Sequence, residues 1–241
     1  MSLKAKLQES SERSLGEIIR AKYILPLIKT EGLVLDVGPG VTPKGDINVD
    51  ISKEALMNAR CPCPNSVVAD ATALPFKDGV FSIVISSDLI EHVENDDAAL
   101  AEMRRVGSKL VLHTPNKDQT HIIHVKGTIT LRTQAGEQII SWGAEQEDHK
   151  RLGYSSAGLY SKIMAAGFKQ AKILPTFNIL ECIAWELDRF IIFQILKHRG
   201  IKGLEEETYP INRDHMYRLI HFLAAFDPVK YVNLGWLVEA E

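Results

Sequence analysis

The stretch Val34-Leu-Asp-Val-Gly-Pro-Gly40 is a short apolar run that ends in a glycine-rich turn. Such a run, stopped by turn residues, is typical of a strand buried on both faces of a parallel sheet. Ligands of open parallel sheets bind beyond the carboxyl ends of the strands, where glycines let the backbone approach them closely. The stretch therefore predicts a ligand-binding strand end, with a plain strand-ending turn as the alternative.

The residues that follow this turn limit the kind of ligand. A dinucleotide fingerprint has a third glycine near position 43 and then a helix whose N-terminus faces a pyrophosphate. Position 43 is proline, and only nine residues separate Gly40 from Asp50, too few for a full crossover helix. The sequence therefore predicts a ligand without a pyrophosphate. Asp50, at the end of the next strand, is placed to accept hydrogen bonds from ribose hydroxyls.

Short apolar strands alternate with helix-compatible segments along most of the chain, which predicts a Rossmann-like α/β fold. We expect a mostly parallel, seven-stranded sheet flanked by helices, in a single domain over residues 1–241. The predicted strands cover residues 33–37, 48–50, 66–70, 81–87, 109–113, 172–174 and 235–238, the last as an edge strand, and the predicted helices cover residues 12–29, 96–106 and 155–166. Residues 117–150 are predicted to form a loop or small hairpin. A helical insertion over about 178–226 is predicted between the last two strands.

Composition excludes several classes of protein. Of the 241 residues, 45% are hydrophobic and 24% charged, which allows a buried core and argues against global disorder. A net charge of −3 argues against a duplex nucleic-acid partner. Three cysteines form neither a disulfide framework nor a full metal-ligand set, and suit a reducing cytoplasm. The polar opening and the charges within residues 178–197 predict neither a signal peptide nor a membrane span.

Four segments in this order carry a resemblance to a known family: VLDVGPG (34–40), NVDIS (48–52), ADATALPFKDGVFSIVISSDLIEHV (69–93) and LVLHTPN (110–116). Together they resemble a class I S-adenosylmethionine-dependent methyltransferase, within the broad group that has an LPF…F…EH signature. The resemblance covers about residues 33–116. It implies S-adenosylmethionine as cofactor and methyl transfer to a small or medium-sized acceptor at oxygen, nitrogen or activated carbon. Pro39, the short loop Val41–Asp46 and the Phe81-Ser82 pair depart from the family's pattern, so we expect a more open or differently covered pocket.

The resemblance also implies which residues contact the cofactor. They are Asp36, Gly38, Gly40 and the Ser87 backbone along the methionine part, Asp50 at the ribose, and Ile51, Asp70 and Ala71 around the adenine.

Candidates for a catalytic base follow the fourth and fifth strands. An oxygen or ammonium acceptor must lose a proton, so a base is needed near the methyl group. His92 is the preferred candidate, with Glu91 and His113 as further ones; the alternative for each is a structural role in its turn or strand end. His121, His124 and His149 have no accompanying acids at metal-ligand spacing, which favours a solvated loop over a metal site. We therefore expect no metal.

Two other functions stay open from the sequence. One is a non-catalytic module that binds the cofactor or a partner and keeps the fold, since fold does not fix function. The other is a nicotinamide-dependent reductase, which the missing third glycine disfavours. The apolar face of residues 179–196 is compatible with core packing, a lid over the acceptor, or a dimer or membrane-surface contact, and the oligomeric state is not predicted.

Overall fold

A computed structural model describes residues 15–40, 42–59, 65–117, 127–133, 136–142, 150–178, 180–185 and 234–241. The helices in these ranges are α1 (Leu15–Ile24), continued by a 3-10 turn (Leu25–Leu27), α2 (Lys53–Met57), α3 (Asp96–Val106) and α4 (Ser156–Ala165). The strands are β1 (Val34–Val37), β2 (Ile47–Asp50), β3 (Ser66–Val68), β4 (Phe81–Ser87), β5 (Gly107–Pro115), β6 (Gly127–Thr133), β7 (Gly136–Trp142), β8 (Ala171–Thr176) and β9 (Gly235–Ala240). Residues 180–185 are also helical.

Seven strands form one sheet in the order β3-β2-β1-β4-β5-β9-β8. The pairs from β3 to β5 are parallel, whereas β9 runs antiparallel to both β5 and β8. Because β1 pairs with β2 on one side and β4 on the other, the strand order reverses beside β1. A reversal of this kind opens a crevice at the carboxyl ends of the strands, where open α/β sheets bind their ligands.

The central strands are apolar on both faces and are covered on both. On one face Leu35, Val84 and Leu110 pack with α3 and α4; on the other, Val34 and Ile85 pack with α1. Burial on both faces explains why these strands read as continuous apolar runs rather than alternating ones. The resulting layers are helix, sheet and helix.

Side-chain caps fix where two of the flanking helices begin. Asn95 accepts from the Ala98 amide at the start of α3, and Ser155 accepts from the Gly158 amide at the start of α4. Gly167 follows α4 with φ of 97°, a conformation that glycine adopts without strain. The predicted helices over residues 96–106 and 155–166 are thereby confirmed.

The last strand differs from the prediction. Residues 235–238 were expected at an edge of the sheet, but β9 lies between β5 and β8 and pairs with both. Its burial explains the position, because Leu237 and Val238 are enclosed on opposite faces of the sheet. The edge is β8, which leaves Lys172 and Leu174 exposed. Pro175, which lacks an amide donor, suits such an edge.

The region between β5 and α4 contains a two-stranded hairpin. β6 and β7 pair antiparallel from Gly127–Trp142 to Thr133–Gly136, in agreement with the hairpin predicted within residues 117–150. Most of the predicted helical insertion over 178–226 lies outside the described residues, apart from the helical residues 180–185. None of the helices in the described ranges has the length and apolar character needed to cross a membrane.

Candidate functional site

A cleft of about 360 Å³ lies at the carboxyl ends of β1, β2 and β3. Five of the eight predicted cofactor residues line it: Gly38, Asp50, Ile51, Asp70 and Ala71. His92, a predicted catalytic residue, also lines the cleft, together with the three residues that follow it. The fold thus brings together residues that are up to 54 positions apart in the sequence.

The turn after β1 requires glycine at its first position. Gly38 has φ of 70°, and a Cβ atom there would stand 2.7 Å from the Leu89 side chain. Gly40 also has a positive φ, of 55°, but a Cβ at that position would meet no atom within 4 Å. Gly38 therefore allows close packing against the loop after β4, while Gly40 leaves open space beside the turn.

Asp50 is fixed by backbone donors on both sides of its carboxylate. The Gly40 amide donates to Oδ2 at 3.1 Å, and the Ser52 amide donates to Oδ1 at 2.9 Å. A carboxylate oxygen can accept more than one hydrogen bond, so both oxygens keep capacity for a ligand. The first bond also ties the glycine turn to the end of β2.

Asp70 is oriented in a similar way at the end of the third strand. Its Oδ1 accepts from both the amide and the hydroxyl of Thr72, each at 2.8 Å. These two hydrogen bonds hold the pKa of Asp70 below its ordinary value, because they favour the ionised carboxylate. Within the described part of the chain no donor contacts Oδ2, which can therefore accept from a ligand in the cleft.

Ile51 supplies an apolar wall between these two acids. Its side chain is 72% exposed although it lines the cleft. An exposed isoleucine beside two oriented carboxylates matches an aromatic heterocycle that packs on one face and forms hydrogen bonds at its edge.

Asp36, Gly40 and Ser87 are not among the described residues that line the cleft. The Asp36 side chain is fully buried; its Oδ2 accepts from the Lys44 amide at 2.8 Å, and its Oδ1 has no hydrogen-bond partner among the described residues. Burial raises the pKa of Asp36 above its ordinary value, against an opposing effect of the Lys44 ammonium. Ser87 ends β4, opposite His113 in the pairing with β5.

Glu91 is enclosed beside the cleft. It is fully buried, and its Oε2 accepts from the Thr114 hydroxyl at 3.0 Å. Burial, reinforced by the nearby Asp88 carboxylate, raises the pKa of Glu91 to about 8. Near neutral pH this side chain therefore keeps its proton, which makes it a poor base.

His113 of β5 is part of a network of hydrogen-bonded and charged side chains. Its Nδ1 donates to Asp88 Oδ1 at 2.7 Å, and its Nε2 lies 3.0 Å from the Thr176 hydroxyl. Arg20 of α1 binds the second oxygen of Asp88 at 2.6 Å. Although burial alone would raise it, the pKa of Asp88 is well below its ordinary value because of Arg20 and His113. Both ring nitrogens of His113 are thus engaged within the protein.

Sequence reasoning missed a residue that holds the loop after β4. Arg151 donates through Nη1 to the carbonyls of Ile90 and Val93, at 2.7 and 2.8 Å, and through Nη2 to that of Glu94 at 3.1 Å. The same loop contributes His92 to the cleft. Arg151 lies in an irregular segment some 60 residues away, so no local pattern could have connected it to the loop.

Parts of the chain are similar in sequence to known proteins. Residues 45–110 match a family model described as a methyltransferase domain. An uncharacterized protein of Methanocaldococcus jannaschii is 32% identical over 109 residues, which are 43% of this chain and 52% of that protein. The chain thus spans about half the length of this curated relative.

Solved structures share the fold at low sequence identity. An S-adenosylmethionine-dependent methyltransferase from Archaeoglobus fulgidus is 15% identical with a TM-score of 0.53, and the match covers 97% of each chain. One from Mesorhizobium loti is 13% identical with a TM-score of 0.52, over 94% of this chain and 99% of that one. Phosphoethanolamine N-methyltransferase 2 from Haemonchus contortus, in complex with S-adenosylmethionine, is 14% identical with a TM-score of 0.56, over 100% of this chain and 60% of that one.

The sheet order and the cleft at the reversal of strand order are those of the fold that these S-adenosylmethionine-dependent methyltransferases share. Within this fold, residues 45–110 match a methyltransferase domain.

Proposed function

We propose that this protein binds S-adenosylmethionine in the cleft and transfers its methyl group to a small or medium-sized acceptor, at oxygen, nitrogen or activated carbon. The observation that carries the proposal is the Asp50 carboxylate, which the amides of Gly40 and Ser52 hold at the mouth of the cleft. A carboxylate fixed at the end of the second strand suits the two hydroxyls of a ribose.

The adenosine part of the cofactor fits the remaining walls. The adenine ring packs against Ile51, its amino group donates to Asp70 Oδ2, and the Ala71 amide faces the ring edge. The methionine part then passes Gly38 and Gly40 toward Asp36 and the Ser87 backbone. This placement uses the open space beside Gly40, where a Cβ would meet no atom within 4 Å.

Orientation is the main task of the protein in such a reaction. When bound, S-adenosylmethionine supplies an electrophilic methyl group on a sulfonium. A site that aligns the acceptor with this methyl group lowers the barrier through proximity. For an acceptor that must lose a proton, we favour His92 as the base, because it lines the cleft. Glu91 is protonated near neutral pH and His113 is engaged at both nitrogens, so they are weaker candidates.

The sequence predicts that residues 117–150 and 178–226 contact the acceptor. We propose a single domain over residues 1–241, in which these two segments determine acceptor specificity. Replacing residues 178–226 by a short linker should abolish turnover of the acceptor while cofactor binding survives. Unchanged turnover in a folded variant would contradict this assignment.

Methyl transfer is tested with methyl-labelled S-adenosylmethionine and a panel of amines, phenols, carboxylic acids and carbon acids. The expected result is label transfer to one of these classes, reduced in a His92→Ala variant that still binds S-adenosylhomocysteine. The Glu91→Ala variant provides the comparison, since a buried protonated group should act through stability rather than proton transfer. If His92→Ala left the rate unchanged across the pH range, His92 would not be the base. Cofactor binding without transfer to any class would favour the non-catalytic module.

A further inference from the structure

One wall of the cleft is a loop without strand or helix structure. Residues 92–95 line the cleft consecutively, between the end of β4 and the start of α3. Two turn bonds lie within this loop: the His92 amide donates to the Leu89 carbonyl at 2.9 Å, and the Val93 amide donates to the Ile90 carbonyl at 3.3 Å. Residues in such turns are not fixed by a strand ladder, so the shape of this wall depends on contacts with other segments.

Arg151 supplies these contacts from the segment before α4. Its guanidinium donates, at 2.7, 2.8 and 3.1 Å, to three carbonyls of the loop, those of Ile90, Val93 and Glu94. Its amide and the amide of Lys150 donate to the Glu91 carbonyl, at 3.3 and 2.9 Å. Arginine suits this task, because its planar group holds five N–H donors in a fixed arrangement. The two residues thus bind the carbonyls of four of the five residues from 90 to 94.

The segment that carries Arg151 is itself tied to the sheet. The Tyr154 amide donates to the Pro115 carbonyl at 3.0 Å, and the Tyr154 carbonyl accepts from the Lys117 amide at 3.2 Å. The indole of Trp236 in β9 donates to the same carbonyl at 2.8 Å. Arg151 lies over the Tyr154 ring, with 5.9 Å between the guanidinium carbon and the ring centroid. The position of the guanidinium is therefore set by β5 and β9, and so is the wall that it holds.

A carboxylate at the start of α3 lies beside the same guanidinium. Asp96 Oδ2 is 3.6 Å from Arg151 Nη1 and accepts from the Tyr154 hydroxyl at 2.7 Å. Asp96 is only 5% exposed, so solvent screens this charge pair weakly. A lysine in place of Arg151 would keep a positive charge near Asp96 and lose the contacts with the loop. The two contributions of Arg151 can thus be separated by one substitution.

A second arginine makes similar contacts away from the cleft. Arg104 donates to the carbonyls of Gly167 and Gly107, at 3.1 and 3.2 Å, and its guanidinium carbon lies 5.6 Å from the centroid of the Phe168 ring. These residues are not among the described residues that line the cleft. Both arginines therefore hold backbone carbonyls and pack on an aromatic ring, but Arg151 alone of the two holds a wall of the cleft.

We propose that Arg151 is a positioning residue for the cofactor: it holds residues 92–95 in the shape that the bound cofactor contacts, and it thereby places the His92 side chain. The inference rests on the proposed function, which supplies the identity of the ligand. Arg151 acts through the loop, since it is not among the described residues that line the cleft. Without its hydrogen bonds the wall must be ordered when the ligand binds, which weakens binding.

Calorimetric titration with S-adenosylhomocysteine tests this role in the unmodified protein and two variants. Arg151→Lys keeps the charge beside Asp96 but cannot donate to all three carbonyls. It should bind the ligand roughly three- to tenfold more weakly, as expected for a residue that acts on a site without contacting its ligand. Arg104→Lys is the matched control, because it also loses contacts with carbonyls. Its affinity should equal that of the unmodified protein.

The NMR signals of the His92 ring give a second readout, which a loss of stability alone would not change. These signals are assigned from their absence in His92→Ala. Saturating S-adenosylhomocysteine should shift them in the unmodified protein and equally in Arg104→Lys, because His92 lines the cleft. The shift should be smaller in Arg151→Lys, because the wall is no longer held against the ligand.

The outcomes separate this inference from the proposed function. If Arg151→Lys does not fold, Arg151→Gln takes its place, since its amide can still donate to one of the carbonyls. Unchanged affinity or unchanged His92 shifts in the folded variant would overturn the inference and leave the proposed function intact. An equal loss of affinity in Arg104→Lys would also overturn it, because the effect would then follow from stability. Failure of the unmodified protein to bind S-adenosylhomocysteine would instead contradict the proposed function.

Discussion

Replacing Asp50 by alanine removes the carboxylate on which the proposed ribose contact depends. In the structure this carboxylate also accepts from the amides of Gly40 and Ser52, at 3.1 and 2.9 Å. The substitution therefore removes the ligand contact and releases one end of the glycine turn. Loss of hydrogen bonds to a charged acceptor costs roughly 1–3 kcal/mol. That range corresponds to a fall in cofactor affinity of about 5- to 150-fold.

The assay is calorimetric titration of the Asp50→Ala variant with S-adenosylhomocysteine. Asp50→Asn separates the two contributions, because its amide oxygen can keep one of the two backbone bonds. Asp78→Asn is the control, since Asp78 is exposed at the amino end of β4, away from the cleft. We expect the largest loss in Asp50→Ala, a smaller one in Asp50→Asn and none in the control. Unchanged affinity in a folded Asp50→Ala protein would refute the ribose assignment.

Three further substitutions test the surroundings of the cleft. Gly38→Ala should lower the free energy of unfolding by more than the roughly 1–2 kcal/mol of left-handed strain, because its Cβ meets Leu89. Gly40→Ala should lower it by the strain alone. Equal losses of unfolding free energy in the two variants, measured by urea denaturation, would contradict this prediction. Because its folded pKa of about 8 exceeds the ordinary 4.5, Glu91 destabilises the fold as pH rises between these values. Glu91→Gln should therefore gain unfolding free energy relative to the unmodified protein from about pH 5 to about pH 8, and a constant difference would contradict the pKa shift. A lysine cannot donate to all three carbonyls that Arg151 contacts, so Arg151→Lys should speed amide exchange in the loop after β4. Unchanged exchange would show that the loop is stable without these hydrogen bonds.

Local patterns were sufficient for most of the fold. The helix over residues 96–106 was predicted with its observed bounds, because its cap and apolar spacing lie within the segment itself. The strands ending at Val37 and Ser87 could be recognised for the same reason. The position of β9 could not be predicted locally, since it depends on pairing with β5 and β8 across long stretches of chain.

The candidate site also contains residues that local patterns predict and residues that they do not. Asp50 and Asp70 could be placed from the sequence, because the carboxyl ends of parallel strands meet at one edge of the sheet. Arg20 and Arg151 could not, since each reaches its partners from a distant segment. The short loop could be used to exclude a pyrophosphate and was noted as a departure from the family, but the burial of the Lys44 side chain became visible only once the loop was placed against β1.

The most direct test of the account is calorimetric titration of the unmodified protein with S-adenosylmethionine and S-adenosylhomocysteine, with NAD as the comparison ligand. We predict micromolar binding of both adenosyl ligands with one site per chain, and no binding of NAD. Binding of NAD alone would contradict the account and support a reductase, and binding of none of the three would show that this cleft does not hold the cofactor.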